Sequence, residues 1–140
     1  MKVLNVYLAG RVKGLDDEGA GWREDITKQL EAIAEWNEKK VNVFDPTKYF
    51  SYSEKRHKTN KQIKEYYMHK LAKSDIVIVN VDDTTVSIGT AQEVQFAVDH
   101  HIPVLGWGTH DMYPWIAEVD CQVVFDSMAE LTDYVRDYYL

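Results

Sequence analysis

Ser74–Asp75–Ile76–Val77–Ile78–Val79–Asn80–Val81–Asp82–Asp83, continuing through Ser87–Ile88–Gly89–Thr90–Ala91–Gln92–Glu93, is the stretch that decides the architecture. Ile76 to Val81 is β-branched and nearly unbroken, which suits a central strand buried on both faces. An acidic turn follows. The chain then passes through Gly89–Thr90 and opens a helix, expected over Thr90 to His100, with Glu93 in its first turn. In an open α/β sheet, ligands bind outside the carboxyl ends of the strands. Asp82, Asp83, Ser87 and Glu93 are therefore expected to gather where a small molecule binds.

The rest of the chain repeats the same alternation. Lys2 to Leu8 reads as a first strand, closed by Ala9–Gly10 and followed by a polar loop to about Gly21. Trp22, Ile26, Leu30, Ile33 and Ala34 recur at helical spacing and predict a helix within Glu18 to Asn37. Val41 to Phe44 is a short strand stopped by Asp45–Pro46. Lys48 to Thr59 has no period and reads as a loop. Beyond it, Ile63, Tyr67 and Leu71 mark one apolar helix stripe ending near Lys73. Ile102 to Gly106 and Gln122 to Phe125 supply two more strands. His110 to Ala117 between them is a short helix or an ordered loop. Ser127 caps a last helix through Met128, Leu131, Tyr134 and Val135. Strands alternating with helices predict a three-layer α/β sandwich on a parallel sheet of five strands.

Composition narrows the function classes. The chain has 140 residues, the size of one domain, read as a single unit over residues 1–140. Its net charge is −7, and the one short basic cluster is Lys55–Arg56–His57–Lys58. Nucleic-acid polymers are poor partners for such a chain, because phosphate neutralisation dominates their affinity. No apolar run approaches the roughly 20 residues of a membrane span. Cys121 is the sole cysteine and has no internal disulfide partner, which fits a reducing compartment. No signal-peptide pattern precedes the first strand. A soluble cytoplasmic domain is the expectation. No CxxC, HExxH, Walker-type or GxGxxG pattern is present, which argues against a generic redox domain.

Glu93 carries two readings. Thr90-x-x-Glu93 matches a capping box, in which Glu93 only returns a hydrogen bond to the helix start. From spacing alone that is the commoner meaning. Alternatively, a carboxylate in a first helical turn is held ionised by the helix dipole. An ionised, oriented carboxylate is what a nucleophile that displaces a glycosyl group requires.

Val6–Tyr7–Leu8–Ala9–Gly10, Trp22–Arg23, Ser74 to Asn80 and Ser87 to Glu93 together resemble the nucleoside 2-deoxyribosyltransferase family. That family includes the related deoxynucleoside 5′-monophosphate N-glycosidases. The order of elements matches over nearly the whole chain, and Gly89–Thr90-x-x-Glu93 is the most specific part. The resemblance implies a flavodoxin-like, Rossmann-like sandwich. It implies that Glu93 attacks the anomeric carbon of a 2′-deoxynucleoside, forming a covalent deoxyribosyl-enzyme that a second base or water resolves with retention. Tyr7 would orient Glu93. Ala9, Gly10, Gly89 and Thr90 would shape the sugar pocket, and Asp82 and Asp83 would contact the base or supply a proton.

Ser87, six residues before Glu93, is often Asp in the transferases and often Ser in the nucleotide N-glycosidases, where it meets a 5′-phosphate. Arg11 and Lys13 are candidates to reach the same phosphate. Trp22–Arg23 reads as a core tryptophan beside a surface or loop-contacting arginine. Many relatives carry an Asp at the place of Tyr67, eight residues before Asp75. A neutral phenol can donate a proton but cannot replace a carboxylate's charge. Hydrolysis of a nucleotide and non-catalytic nucleotide binding are the alternatives to transfer. No cofactor or metal is implied. The partners implied are a nucleoside or nucleotide, a nucleobase and further copies of the chain in a homo-oligomer, whose interface Tyr113–Pro114–Trp115 and Tyr138–Tyr139 fit.

Overall fold

Alternate residues of a strand point to opposite faces of a sheet, and that parity sorts the core of this protein into two layers. The computed structural model describes residues 2–49 and 58–140. Strands β1 (Val3–Ala9), β2 (Lys40–Phe44), β3 (Ile76–Asn80), β4 (Val104–Trp107) and β5 (Val123–Phe125) form one parallel sheet in the order β2-β1-β3-β4-β5. Leu4, Val6 and Leu8 of β1 and Ile76 and Ile78 of β3 face one side. There they meet Ile26 and Leu30 of helix α1 (Ala20–Trp36) and Leu131 and Val135 of α4 (Met128–Tyr138). Tyr7 and Ala9 of β1 and Val77 and Val79 of β3 face the other. They pack on Leu71 of α2 (Asn60–Ala72) and on Val94 and Ala97 of α3 (Ile88–Asp99). This is the three-layer flavodoxin-like sandwich that the sequence predicts.

Local chemistry explains the boundaries. β4 starts at Val104 rather than Ile102. Pro103 has no N–H for a ladder, and its carbonyl instead accepts from Val77 N at 2.9 Å. Thr59 caps α2 through a full capping box with Gln62. The segment left open between β4 and β5 holds a short π-helical turn, Trp115–Asp120, anchored by the buried Ile116. Ser127 caps α4, accepting from Glu130 N at 3.2 Å. Most of the expected loop before α2 lies outside the described residues, as does the Lys55–Arg56–His57 part of the basic cluster. Among the described residues no helix is long and apolar enough to cross a membrane.

Ile78 sits at the middle of the sheet with no exposed surface. Ile78→Ala leaves a cavity between two helices that cannot collapse into it, so urea denaturation should show a loss of about 2–5 kcal/mol.

Candidate active site

In this strand order the chain steps from β1 outward to β2 and returns to β3 on the other side of β1. The β1/β3 junction is therefore the switch point, where the loops diverge and leave a crevice. A cavity of about 550 Å³ opens there. Its walls are the Gly10–Lys13 loop after β1, Pro46–Thr47 after β2, one face of α2, and Val86 to Glu93. Ser87, Gly89, Thr90, Tyr67, Gly10 and Glu93, all expected at the site, line it together.

Glu93 is on the inner face of α3, in register with Thr90, Val94 and Ala97. The capping box is not formed. The helix starts at Ile88, two residues earlier than expected, with Ala91 N bonded to Ser87 O at 3.2 Å. Thr90 turns inward and its hydroxyl meets the Ser87 hydroxyl at 2.6 Å. Glu93 thus falls in the second turn and points to the sheet rather than back to the helix start. There Tyr7, buried on β1, donates its phenolic hydrogen to Glu93 Oε2.

The electrostatics also differ from expectation. Glu93 opens on the cavity, but its carboxyl group is enclosed by protein. That desolvation pushes its pKa up to about 7, against the smaller downward pulls of the Tyr7 hydrogen bond and the Arg23 charge. The helix dipole does not decide its state. Tyr7 is raised well above the ordinary phenol value, by burial first and then by the Glu93 charge. A strongly perturbed carboxyl group in a cleft is the electrostatic mark of a functional site.

Asp82 and Asp83 do not reach the cavity. Asp82 Oδ1 accepts from Thr109 N at 2.7 Å and His110 N at 3.0 Å, which ties the loop after β4 to the end of β3. Asp83, in the left-handed region at φ 58, pairs with Arg11 Nη1 at 3.3 Å and His110 Nε2 at 3.4 Å. Both carboxylates are occupied in shaping the wall. Ala9 is fully buried in the sheet and does not line the cavity, unlike Gly10 next to it.

Sequence reasoning missed several lining residues. Arg23, read as surface or loop-contacting, is 1% exposed and does contact loops, donating to Gly19 O and Gly10 O. Asn60, Ile63, Lys64, Tyr67 and Met68 form a single wall. Their spacing is one helical face, so the apolar stripe already contained the signal once its polar members were counted. Tyr67 Oη donates to Pro46 O at 2.9 Å, joining α2 to the end of β2. Among the described residues, Glu93 is the lone carboxylate lining the cavity, against Arg11, Lys13, Arg23 and Lys64.

The family model of the nucleoside 2-deoxyribosyltransferases matches residues 6–129. The chain belongs to this family. Among solved structures, the 2-deoxyribosyltransferase of Leishmania mexicana is 15% identical with a TM-score of 0.73, over 98% of this chain and 99% of that one. The 2-deoxyribosyltransferase of Bacillus psychrosaccharolyticus is 16% identical with a TM-score of 0.72, over 93% and 91%. The CMP N-glycosidase of Clostridium botulinum is 13% identical with a TM-score of 0.56, over 96% and 99%. No curated protein sequence matches the chain. The fold is thus common to two 2-deoxyribosyltransferases and a CMP N-glycosidase.

The raised carboxyl makes a prediction for stability. Native Glu93 keeps its proton up to about pH 7, whereas the unfolded side chain loses it near its ordinary 4.5. Between those values the native state binds more protons, so stability falls as pH rises, by up to about 3 kcal/mol from this group. Glu93→Gln removes that dependence. Its advantage over wild type in urea denaturation should grow from pH 4.5 to pH 8, and a constant difference would contradict the enclosed carboxyl.

Proposed function

We propose that this protein cleaves the N-glycosidic bond of 2′-deoxynucleosides and transfers the sugar to a second nucleobase through a covalent deoxyribosyl-Glu93. The observation that carries this reading is the Tyr7–Glu93 pair at the switch-point cavity. An ionised Glu93 oxygen attacks C1′ as the C1′–N bond breaks, and the base departs with the bonding pair and takes up a proton. The nitrogen of the second base attacks the same carbon and gives up its proton to solvent, the ester bond breaks, and Glu93 returns as a carboxylate. Two displacements retain the configuration. Tyr7 holds the carboxylate during both, and Gly10, Gly89 and Thr90 shape the sugar's surroundings. Asp82 and Asp83 are spent on the wall and the Tyr67 hydroxyl on Pro46 O, so the leaving base draws its proton from Lys64 or solvent. General-acid help is typically worth about 10²–10⁴ in rate, and transfer should be slow where that help is weak.

A second reading is favoured by the cations. Arg11, Lys13 and Lys64 line the cavity of a chain whose net charge is −7, beside the Ser87 and Thr90 hydroxyls and the start of α3. Such an end binds anions. On this reading the substrate carries a 5′-phosphate and water takes the sugar. A cytoplasmic location and a homo-oligomer belong to both readings. The exposed Trp115 and Tyr138, at 69% and 71%, suit an interface between copies.

Chromatography after incubation with deoxynucleosides and deoxynucleoside 5′-monophosphates, with and without an acceptor base, separates the outcomes. Exchange of bases supports transfer. Base release from monophosphates alone, with no exchange, supports the hydrolase. Silence with every substrate overturns both. Glu93→Ala should abolish nearly all activity while retaining the fold, and wild-type turnover in that variant would end the glycosyl-enzyme account.

A further inference from the structure

Arg23 belongs to the first half of α1, yet only 1% of it is exposed. A buried guanidinium needs both hydrogen-bond acceptors and an opposing charge. Nη1 donates to Gly19 O at 2.9 Å and Nη2 to Gly10 O at 3.0 Å. The chain makes room for both. Gly19 has φ 78, and a Cβ there would strike Nη1. A Cβ on Gly10 would lie 3.0 Å from the Trp22 ring and 3.5 Å from Nη2. These two acceptors are neutral, so they leave the charge unanswered.

Asp45 answers it only loosely. Its Oδ1 lies 3.9 Å from Arg23 Nε and already accepts from the Thr47 N–H and hydroxyl at 2.9 and 2.6 Å. Arg23 Nε and Asp45 Oδ2 are both buried without a hydrogen bond among the described residues. The remaining anion is Glu93, which lines the same cavity as Arg23. Burial loosens Arg23's hold on its proton, and the Glu93 charge, ahead of that of Asp45, tightens it again.

We propose that Arg23 is a positioning residue: its N–H bonds fix the Gly10 carbonyl at the cavity wall, and its buried charge at the same cavity favours the ionised, attacking form of the Glu93 carboxyl group over the protonated one. This rests on Glu93 being the nucleophile. The groups that act on Glu93 are Tyr7 from β1 and Arg23 from α1, while the Glu93 charge itself raises Tyr67 of α2 and Asp45 acts on Arg23. Arg11, Lys13 and Lys64 complete the charges of the cavity. Of these, Arg23 is the cation that is both buried and bonded into the scaffold. Its effect therefore does not depend on salt or on a side chain finding its place.

A carboxyl group deprived of its cation keeps its proton to higher pH, so the attacking form appears later on the pH scale. Arg23→Met should move the acidic limb of kcat/KM upward. The loss at pH 7 should be recovered at alkaline pH. Arg23→Lys, which keeps the cation, should leave the limb near that of wild type. A ¹³C NMR titration of the Glu93 carboxyl carbon in the same proteins reads the coupling without turnover. An upward midpoint in Arg23→Met, with Arg23→Lys near wild type, supports the proposal. An unchanged midpoint in Arg23→Met overturns it. If Arg23→Met fails to fold, Arg23→Gln, which can still donate to one carbonyl, carries the same expectation. If the NMR midpoint moves while even the wild type releases no base, the Arg23–Glu93 coupling is upheld and the glycosyl-transfer reading is what fails.

Discussion

Tyr7 donates a hydrogen bond to Glu93 across the space between β1 and α3, and the rest of the site depends on where that bond lies. Strand parity sends Tyr7 to the α3 side of the sheet, opposite Val6 and Leu8. Helical periodicity places Glu93 on the inner face of α3 beside Thr90, Val94 and Ala97. A carboxyl group on a face otherwise built for burial loses most of its hydration, and its pKa rises to about 7. The phenol and the guanidinium of Arg23 offset part of that desolvation. They leave the group poised to change charge in the physiological range.

The same arrangement separates structure from chemistry among the acidic residues. Asp82 and Asp83 follow β3 directly and have the composition of a catalytic pair. The first is committed to two backbone N–H groups of the β4 loop and the second to Arg11 and His110. They hold the walls of the switch point in place. Among the described residues the cavity keeps one carboxylate and several cations, inverting the acidic balance of the whole chain. Such a cavity suits an anion-bearing substrate, and its cations favour the ionised form of a carboxyl group that burial disfavours.

Much of this fold was legible because each element carries its own period. Ile76 to Val79 is continuous enough to announce a central strand, and the alternation along β1 foretells the two core layers. Three features of the site were not legible. The start of α3 turns on whether the Ser87 and Thr90 hydroxyls pair with each other or with the backbone, and spacing is the same in both cases. The burial of Arg23 depends on two glycines, Gly10 and Gly19, that stand at the two ends of the loop between β1 and α1 and clear space only once the first strand and helix are packed. The directions of Asp82 and Asp83 were hidden for a similar reason. Their partners lie in the loops after β1 and β4, far away in sequence, and a turn's composition does not reveal which side it faces.

The account stands on Glu93 forming a bond to the sugar. Mass spectrometry of the wild-type protein quenched during turnover of a slow 2′-deoxynucleoside or its 5′-monophosphate tests that bond directly. The expected result is one added deoxyribosyl group from the nucleoside, or one 5-phosphodeoxyribosyl group from the monophosphate, found on the peptide that contains Glu93 and absent from Glu93→Gln. Turnover with no adduct on Glu93, or an adduct on another residue, would contradict it.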